Sequence, residues 1–587
     1  MHEFSVWAPK AKRMTLKHDE QQLAMEGPDD RGWWHIVGMD AHCGDDYAYL
    51  LDDDPTPYPD PRSLWQPYGV HGVSRLYDHR LFPWTDQRWQ GPPLFGAVLY
   101  ELHIGTFTKE GTFDSAIARL DHLVELGITH VEIMPVAEFP GNYGWGYDGV
   151  ALFAVTNKYG GPDGLKRFVD ACHNKGLAVI LDVVYNHFGP TGNYTQKFAP
   201  YLTEKHKTPW GDGVNFEDIG SDEVRRFFCD NAIMWLLEYH VDGLRLDAVH
   251  ELTDRSAFHF MEQLSAEVET VGAMLGRKLV LIAESDLNDP KIVRPREAGG
   301  YGMDAQWSDD FHHSLFTLLH AEQSSGGYYE DYGRFSYLAK ALEKVFVFDG
   351  NYSIYRRRTH GRPIDGLSAH HFIDFVQNHD QVGNRATGDR LEHIVGLDAA
   401  KVALGMLLTA PCIPMLFMGE EFAASTPFLY FADHEDDEMA KRVFEGRKLE
   451  FAAFGFEEAE QIPNPEKPET FEASKLNWDE LHAGIHAEML EWTKKLLHLR
   501  RHSLSLNDGD LSHVTIDSHE EERWLSMQRG KALVVLNLGE KLVRVKVPDR
   551  YFLALASRPE VAVAPGEVGM PPMSMAVFSF ERLERVS

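Results

Sequence analysis

Along the middle of the chain, short continuous apolar runs alternate with stretches whose apolar residues recur every third or fourth position. The first kind marks strands covered on both faces, the second helices with one buried stripe. Residues 97–103 open the series as a strand. Residues 113–126 follow as a helix, with Ile117, Leu120, Leu123 and Val124 at helical spacing, Thr112 placed to cap the start and Gly127 to end it. A strand is expected at 129–134. Leu165, Phe168, Val169 and Cys172 form the next helical stripe, closed by Gly176, and 177–181 is again wholly apolar. Further strands are expected at 243–246, 279–283, 304–307, 372–376 and 413–418, with helices such as 222–239 and 398–409 between them. Repeated strand–helix units over some 400 residues predict an α/β fold, a closed parallel (β/α)8 barrel enlarged by insertions. An open doubly wound sheet is the alternative, but the Gly-rich dinucleotide turn is missing after the first strand.

The flanks have a different rhythm. Residues 4–9, 14–17 and 32–37 are short β-type runs divided by turn residues, and 54–61 is proline-rich and cannot be helical. A small β-sandwich with its connector is expected over 1–90, and the barrel over 91–500. From about His502 β character returns. Residues 531–537 and 542–547 read as sheet strands and 573–580 as the strand that closes the sheet, an antiparallel β domain over 501–587. The acidic stretch 433–438 and the segment 457–469 read as surface loops.

Composition narrows the class of ligand. With 57 basic and 90 acidic residues the 587-residue chain carries −33, a field that repels nucleic acid and anionic membranes. Solubility alone also accounts for such a charge. Cys43, Cys172, Cys229 and Cys412 are far apart and form no CxxC pair, so neither a disulfide framework nor a zinc ribbon is expected. The charged opening of the chain does not read as a signal peptide, no run approaches a membrane span, and a cytoplasmic location is the expectation. The glycosylation patterns at Asn193 and Asn351 carry no weight in that compartment.

Barrel enzymes place their chemistry at the C-terminal ends of strands, and those ends are polar here. The third strand runs into Asp182-Val183-Val184-Tyr185-Asn186-His187, the fourth into Leu244-Arg245-Leu246-Asp247, the fifth into Ala283-Glu284 and the seventh into Gln377-Asn378-His379-Asp380. Carboxylates from separate strands would converge on one mouth. Glycoside hydrolysis with retention needs such a group: one carboxylate attacks the anomeric carbon, and a second, protonated, releases the leaving oxygen from about 5–5.5 Å away. Like charges that close would raise one pKa, and a nearby arginine would keep the other group ionised. Taken singly, Asp247 with Arg245 could be a buried ion pair, Glu284 a strand cap, and each histidine a structural group. Metal ligation by Asp182, His187 and Asp380 is a further reading, for which the tight spacing is absent.

The segments 182–187, 243–247 and 378–380, with Ile282-Ala283-Glu284, resemble the conserved regions of the α-amylase superfamily, in the same order and over residues 100–421. The resemblance implies Asp247 as nucleophile, Glu284 as general acid/base and Asp380 as the carboxyl that binds hydroxyls of the distorted sugar. It implies that Arg245 orients Asp247, that His187 and His379 hydrogen-bond the same sugar, and that Tyr147 stacks on it. A packed loop aromatic is the other reading of Tyr147. Within the superfamily, residues 100–113, 134–141, 145–150, 208–211, 283–289, 305–313 and 431–434 resemble the maltooligosyltrehalose trehalohydrolase family. Branching enzymes usually carry glutamine where this chain has Asp148. The finer resemblance implies an α-1,4 cut beside a terminal trehalose, action on maltooligosyltrehalose and related α-glucans, no cofactor, and a functional pairing with maltooligosyltrehalose synthase. Trp210, His250, Asp433 and His434 are candidates for trehalose recognition, against a surface tryptophan and a solvated acidic loop as the alternative. Glycogen debranching or branching is the rival activity. The segment 185–218 is shorter than the calcium-binding excursion of many amylases; Asn186 matches one ligand there without its acidic companions, so no structural metal is expected.

Overall fold

The computed structural model describes residues 2–320, 327–453 and 462–580. Eight parallel strands close into a barrel: β1 Leu99–Leu102, β2 His130–Ile133, β3 Ala178–Val183, β4 Gly243–Leu246, β5 Val280–Ala283, β6 Ala305–Trp307, β7 Phe372–Phe375 and β8 Ile413–Phe417. They follow one another around the barrel in chain order, and β8 closes on β1 through Met415 beside Leu99. Successive side chains of each strand face inward and outward in turn. Tyr100, Val131 and Leu181 face outward into the main core beneath the helices. Leu99, Ile180, Ile282, Ile373 and Ile413 face inward and form a separate apolar plug. One step nearer the C-terminal mouth the inward positions turn polar: Glu101 pairs in register with Glu132, and Asp182 with Arg245. The plug fills the barrel and the polar layer is the floor of the site.

The expected helix over 113–126 is two segments, Phe113–Ile117 and Leu120–Leu126. Thr112 caps the first through a reciprocal capping box with Ser115, and Gly127, in the left-handed region, ends the second. The chain breaks where Arg119 lays its guanidinium over the Trp478 ring, 4.7 Å from the centroid, a long-range contact that helical spacing cannot reveal. The loop expected over 433–438 ends in a helix, Asp437–Ala453, whose first turn carries Asp437 and Glu438 against the helix dipole. Of the segment 457–469, residues 457–461 lie outside the described residues, and Pro468 starts a short helix, Pro468–Ala473.

The N-terminal strands form a two-stranded sheet, His2–Trp7 with Trp33–Met39, and a four-stranded sheet around Met14–His18 and Asp46–Leu51. This region docks on the barrel helix Ser221–Glu238. Trp33 donates to Glu223 at 3.1 Å, and Arg62 pairs with Asp230 at 2.8 Å while its guanidinium rests among the Trp33, Phe153 and Phe227 rings. At the other end, Ala532–Asn537 and Val543–Lys546 belong to different sheets of five and three strands. Ser574–Ser579 is an interior strand between Ala532–Asn537 and Phe552–Ala556 rather than a closing edge.

Two buried arginines brace the turn before β8, Arg500 from the helix Gly484–His502 and Arg529 from the C-terminal strand Trp524–Arg529. Arg500 donates to the carbonyls of Leu408, Ala410 and Cys412, and Arg529 to those of Thr409, Ala410 and Leu506. All but Leu506 are acceptors at the end of the helix Leu397–Thr409 and the turn into β8, where positive charge is favoured. Arg529→Met would take this donor from the Thr409 and Leu506 carbonyls, while Ala410 keeps Arg500. The expected cost is about 2–4 kcal/mol of stability, read as a lower unfolding midpoint with unchanged turnover per folded molecule.

Candidate active site

Asp247 and Glu284 stand one residue beyond β4 and β5, and backbone bonds continue the ladder to them: Asp247 N–H to Val183 O at 3.1 Å and Glu284 N–H to Leu246 O at 3.0 Å. Both side chains therefore rise from the barrel rim toward the same space. Arg245, fully buried, lies beneath them with its guanidinium 4.2 Å over the Trp307 ring of β6. Its Nη1 donates to Asp182 at 2.7 Å and to Asp247 Oδ1 at 3.1 Å. Its Nη2 lies 2.9 Å from Glu284 Oε2, an ion contact without hydrogen-bond alignment. One guanidinium thus holds the two carboxyl groups side by side.

This corrects the expectation that arginine would favour only one of the pair. The difference between them comes from other neighbours. Asp247 Oδ2 accepts the Asn186 amide at 2.7 Å, so both of its oxygens are engaged as an anion's would be. Glu284 accepts one aligned bond, from Ala248 N–H at 2.8 Å, and its side chain is more open than that of Asp247, 23% against 12% exposed. Two oxygens held by donors suit a nucleophile; a half-engaged, more accessible carboxyl suits a proton carrier.

Asp380 stands on the single turn His379–Gly383 after β7, capped by the Asn378 side chain. It is the most open of the three, 36% exposed, with Asn384 donating to it at 3.0 Å. Next to it His379 is wired through the floor. Its backbone N–H and Nδ1 donate to Glu101 at 2.9 and 2.5 Å, and its Nε2 meets Tyr147 Oη at 2.9 Å. The Tyr147 hydroxyl in turn donates to Asp182 at 2.6 Å. Burial alone would lower the His379 pKa; the Asp380 and Glu101 carboxylates outweigh it and push the imidazole up to about 10. Burial moves Asp182 up to about 7, against the pull of Arg245.

Tyr147 reaches the site because the chain turns tightly at Gly146. There φ is +103° and an added Cβ would meet Pro135 O at 2.3 Å, so only glycine fits. The Tyr147 ring lies 5.2 Å from that of His379 at 22°. His187 takes a different part from that of His379. Burial drops its pKa to about 4, its Nε2 contacts Tyr147 O at 3.1 Å, and its ring stacks face to face with Trp210 at 4.5 Å. Trp210 is half exposed on the hairpin of Leu202–Thr208 and Gly211–Val214, at the rim of the site. His250 lies on the turn Val249–Glu251, just after Asp247, with part of its ring open.

Asp433 and His434 are taken up by structural bonds. Asp433 accepts both the backbone and side-chain N–H of Asn142, at 2.7 and 2.8 Å. The His434 ring is 95% buried against Glu466, 2.8 Å away. Asp148 faces both His434 and His187, which oppose the rise that burial gives its pKa.

Sequence reading missed Glu101, which anchors His379, and Trp307, which supports Arg245. Each interrupts or ends a short barrel strand at an inward position, and that parity was the available signal. Asn186, noted as a stray calcium ligand, spends its amide on Asp247. Among the described residues no group of three His, Cys, Asp or Glu is placed to hold a metal ion.

A buried arginine clamping strand-end carboxyls at the mouth of a parallel barrel defines a glycoside hydrolase site of the α-amylase type, and the α-amylase catalytic-domain family matches residues 84–210. The chain is 46% identical over 581 residues to the malto-oligosyltrehalose trehalohydrolase of Rhizobium sp. strain M-11, covering 98% of this chain and 97% of that one. It is 45% identical over 562 residues to the enzyme of that name from Mycobacterium tuberculosis (strain CDC 1551 / Oshkosh), covering 95% and 96%. A crystal structure titled putative alpha amylase from Salmonella typhimurium superposes with a TM-score of 0.89 at 36% identity, covering 98% and 97%. The chain belongs to the malto-oligosyltrehalose trehalohydrolase family.

Two substitutions probe the site. Asn186→Ala frees Asp247 Oδ2, and a hydrogen bond to a charged group is worth about 1.5–3 kcal/mol. Turnover should fall roughly ten- to a hundredfold with an unchanged fold, measured by steady-state kinetics. Glu101→Gln removes a carboxylate that keeps His379 protonated. A histidine with a raised pKa contributes stability that is complete below its unfolded value and is lost as pH rises through the folded one. The variant should therefore lose stability and activity at lower alkaline pH than the wild type, whose loss is centred near the His379 value of about 10.

Proposed function

We propose that the protein hydrolyses the α-1,4 bond joining a maltooligosaccharide to a terminal trehalose, releasing trehalose with net retention at the cut. The observation that carries the reading is the shared guanidinium of Arg245, which sets Asp247 and Glu284 on one reacting centre. Family membership supports the substrate.

In the first step Asp247 Oδ attacks the anomeric carbon of the glucose next to trehalose, and the bond to the trehalose oxygen breaks. Glu284 gives its proton to that oxygen, and trehalose leaves. In the second step the Glu284 carboxylate takes a proton from water. The hydroxyl attacks the anomeric carbon, the ester to Asp247 breaks, and the maltooligosaccharide departs with Glu284 reprotonated. Asp380 hydrogen-bonds the sugar whose ring flattens as positive charge develops, while His379, both of whose ring nitrogens are engaged by Glu101 and Tyr147, orients Tyr147 rather than bonding the sugar itself. Tyr147 offers an aromatic face to the same ring, with the Trp210–His187 stack and His250 at the rim for the trehalose side. Two carboxyl groups complete the chemistry, and no cofactor enters it.

The substrate requires a partner reaction that makes maltooligosyltrehalose, the work of a maltooligosyltrehalose synthase. Four unpaired cysteines fit a reducing compartment, and we place the reaction in the cytoplasm.

Incubation with maltooligosyltrehalose should release trehalose, and proton NMR of the nascent maltooligosaccharide should show the α-anomer first. Glu284→Gln should still bind substrate while turnover falls roughly a hundred- to ten-thousandfold. A β-anomer would refute retention, and chain transfer to branched glucan in place of trehalose release would refute the substrate.

A further inference from the structure

Glu132 stands on β2 inside the barrel, directly above the apolar plug and in register with Glu101 on β1. It is 1% exposed, and neither carboxyl oxygen has a hydrogen-bond donor within reach. The charged groups that face it are Glu101 from β1, Asp182 from β3, Arg245 from β4 and His379 from the turn after β7. The two cations are already engaged, Arg245 by Asp182 and Asp247, His379 by Glu101. An anion at Glu132 would be buried beside two further carboxyl groups with no hydrogen bond of its own. Groups so placed take up a proton. Burial pushes this carboxyl well above the usual range, Glu101 adds to the rise and Arg245 opposes it.

We propose that Glu132 is a positioning residue of the hydrolysis, a carboxylic acid that stays protonated so that Arg245 remains committed to Asp182, Asp247 and Glu284, and His379 to Glu101. A second anion beside Glu101 would compete for both cations. Drawn toward Glu132, the guanidinium would loosen its hold on the reacting pair; drawn from Glu101, the imidazole would no longer present Nε2 to Tyr147. The neutral acid fills a polar place in the floor and leaves those contacts intact. The proposal rests on the hydrolase reading for its consequence, but the protonation of Glu132 stands apart from the identity of the substrate.

Glu132→Gln, nearly isosteric and neutral at every pH, is the test. The infrared difference spectrum of wild type minus E132Q at neutral pH should contain the carbonyl band of one protonated carboxylic acid, a readout that uses no substrate. E132Q should melt above the wild type by a margin that widens from about pH 5 to about pH 8, because a carboxyl kept protonated against solvent costs stability once pH passes its unfolded value. E132Q should also hold its turnover on maltooligosyltrehalose to higher pH than the wild type, since a glutamine cannot ionise and draw the Arg245 guanidinium from the reacting pair. A carboxylate band in place of the acid band, a melting margin that does not grow with pH, a tenfold or larger loss of turnover in folded E132Q, or a variant that does not fold would each overturn the proposal. If the difference spectrum shows the acid band while neither protein releases trehalose, the substrate reading falls and the protonation stands.

Discussion

The site depends on one buried cation. Arg245 has no access to solvent, and a guanidinium in that position must find its counter-charges within the protein. Asp182, Asp247 and Glu284 supply them from three different strands, and Trp307 supplies a face for the guanidinium plane. Carboxyl groups that would otherwise repel one another are thereby held together, and the closed barrel keeps their strands from drifting apart. The geometry needed to cut a glycosidic bond is thus a by-product of satisfying one charge.

Around that centre the barrel interior sorts its side chains by depth. Apolar residues fill the lower part, where nothing needs to move a proton. The next layer holds buried charged groups, among them Glu101 and Asp182. The rim carries the carboxyl groups proposed to act on substrate, and exposure rises from Asp247 through Glu284 to Asp380. The middle layer fixes protonation and orientation for the rim. His379 shows this most clearly: its charge is held from below by Glu101, and its Nε2 holds the Tyr147 hydroxyl.

The barrel was legible because parallel strands covered on both faces are written as continuous apolar runs, and every run singled out became a strand. Polar residues at the ends of those runs gave Arg245, Asp247 and Glu284 in one place. The middle layer was not legible. Glu101 and Glu132 look like ordinary charges in short strands until their parity relative to Leu99 and His130 is known. The break at Arg119 escaped because the contact made there, with Trp478, lies far along the chain. The bonds of Asp433 to Asn142 and of His434 to Glu466 were not legible either, because composition does not show contacts between distant parts of the chain.

The seat of the N-terminal sandwich has a consequence for how this chain can change. Arg62 is caged by rings from both sides of the seam and neutralised by Asp230 on the barrel, while Glu223 holds Trp33. The two halves of that junction are therefore chemically matched. A sandwich transplanted from another barrel would leave Glu223 without Trp33 and Asp230 with Arg226 alone, and a barrel stripped of its own would present the same pair to water beside bare aromatic surface. Inheritance of the two regions as one unit follows from the seam itself.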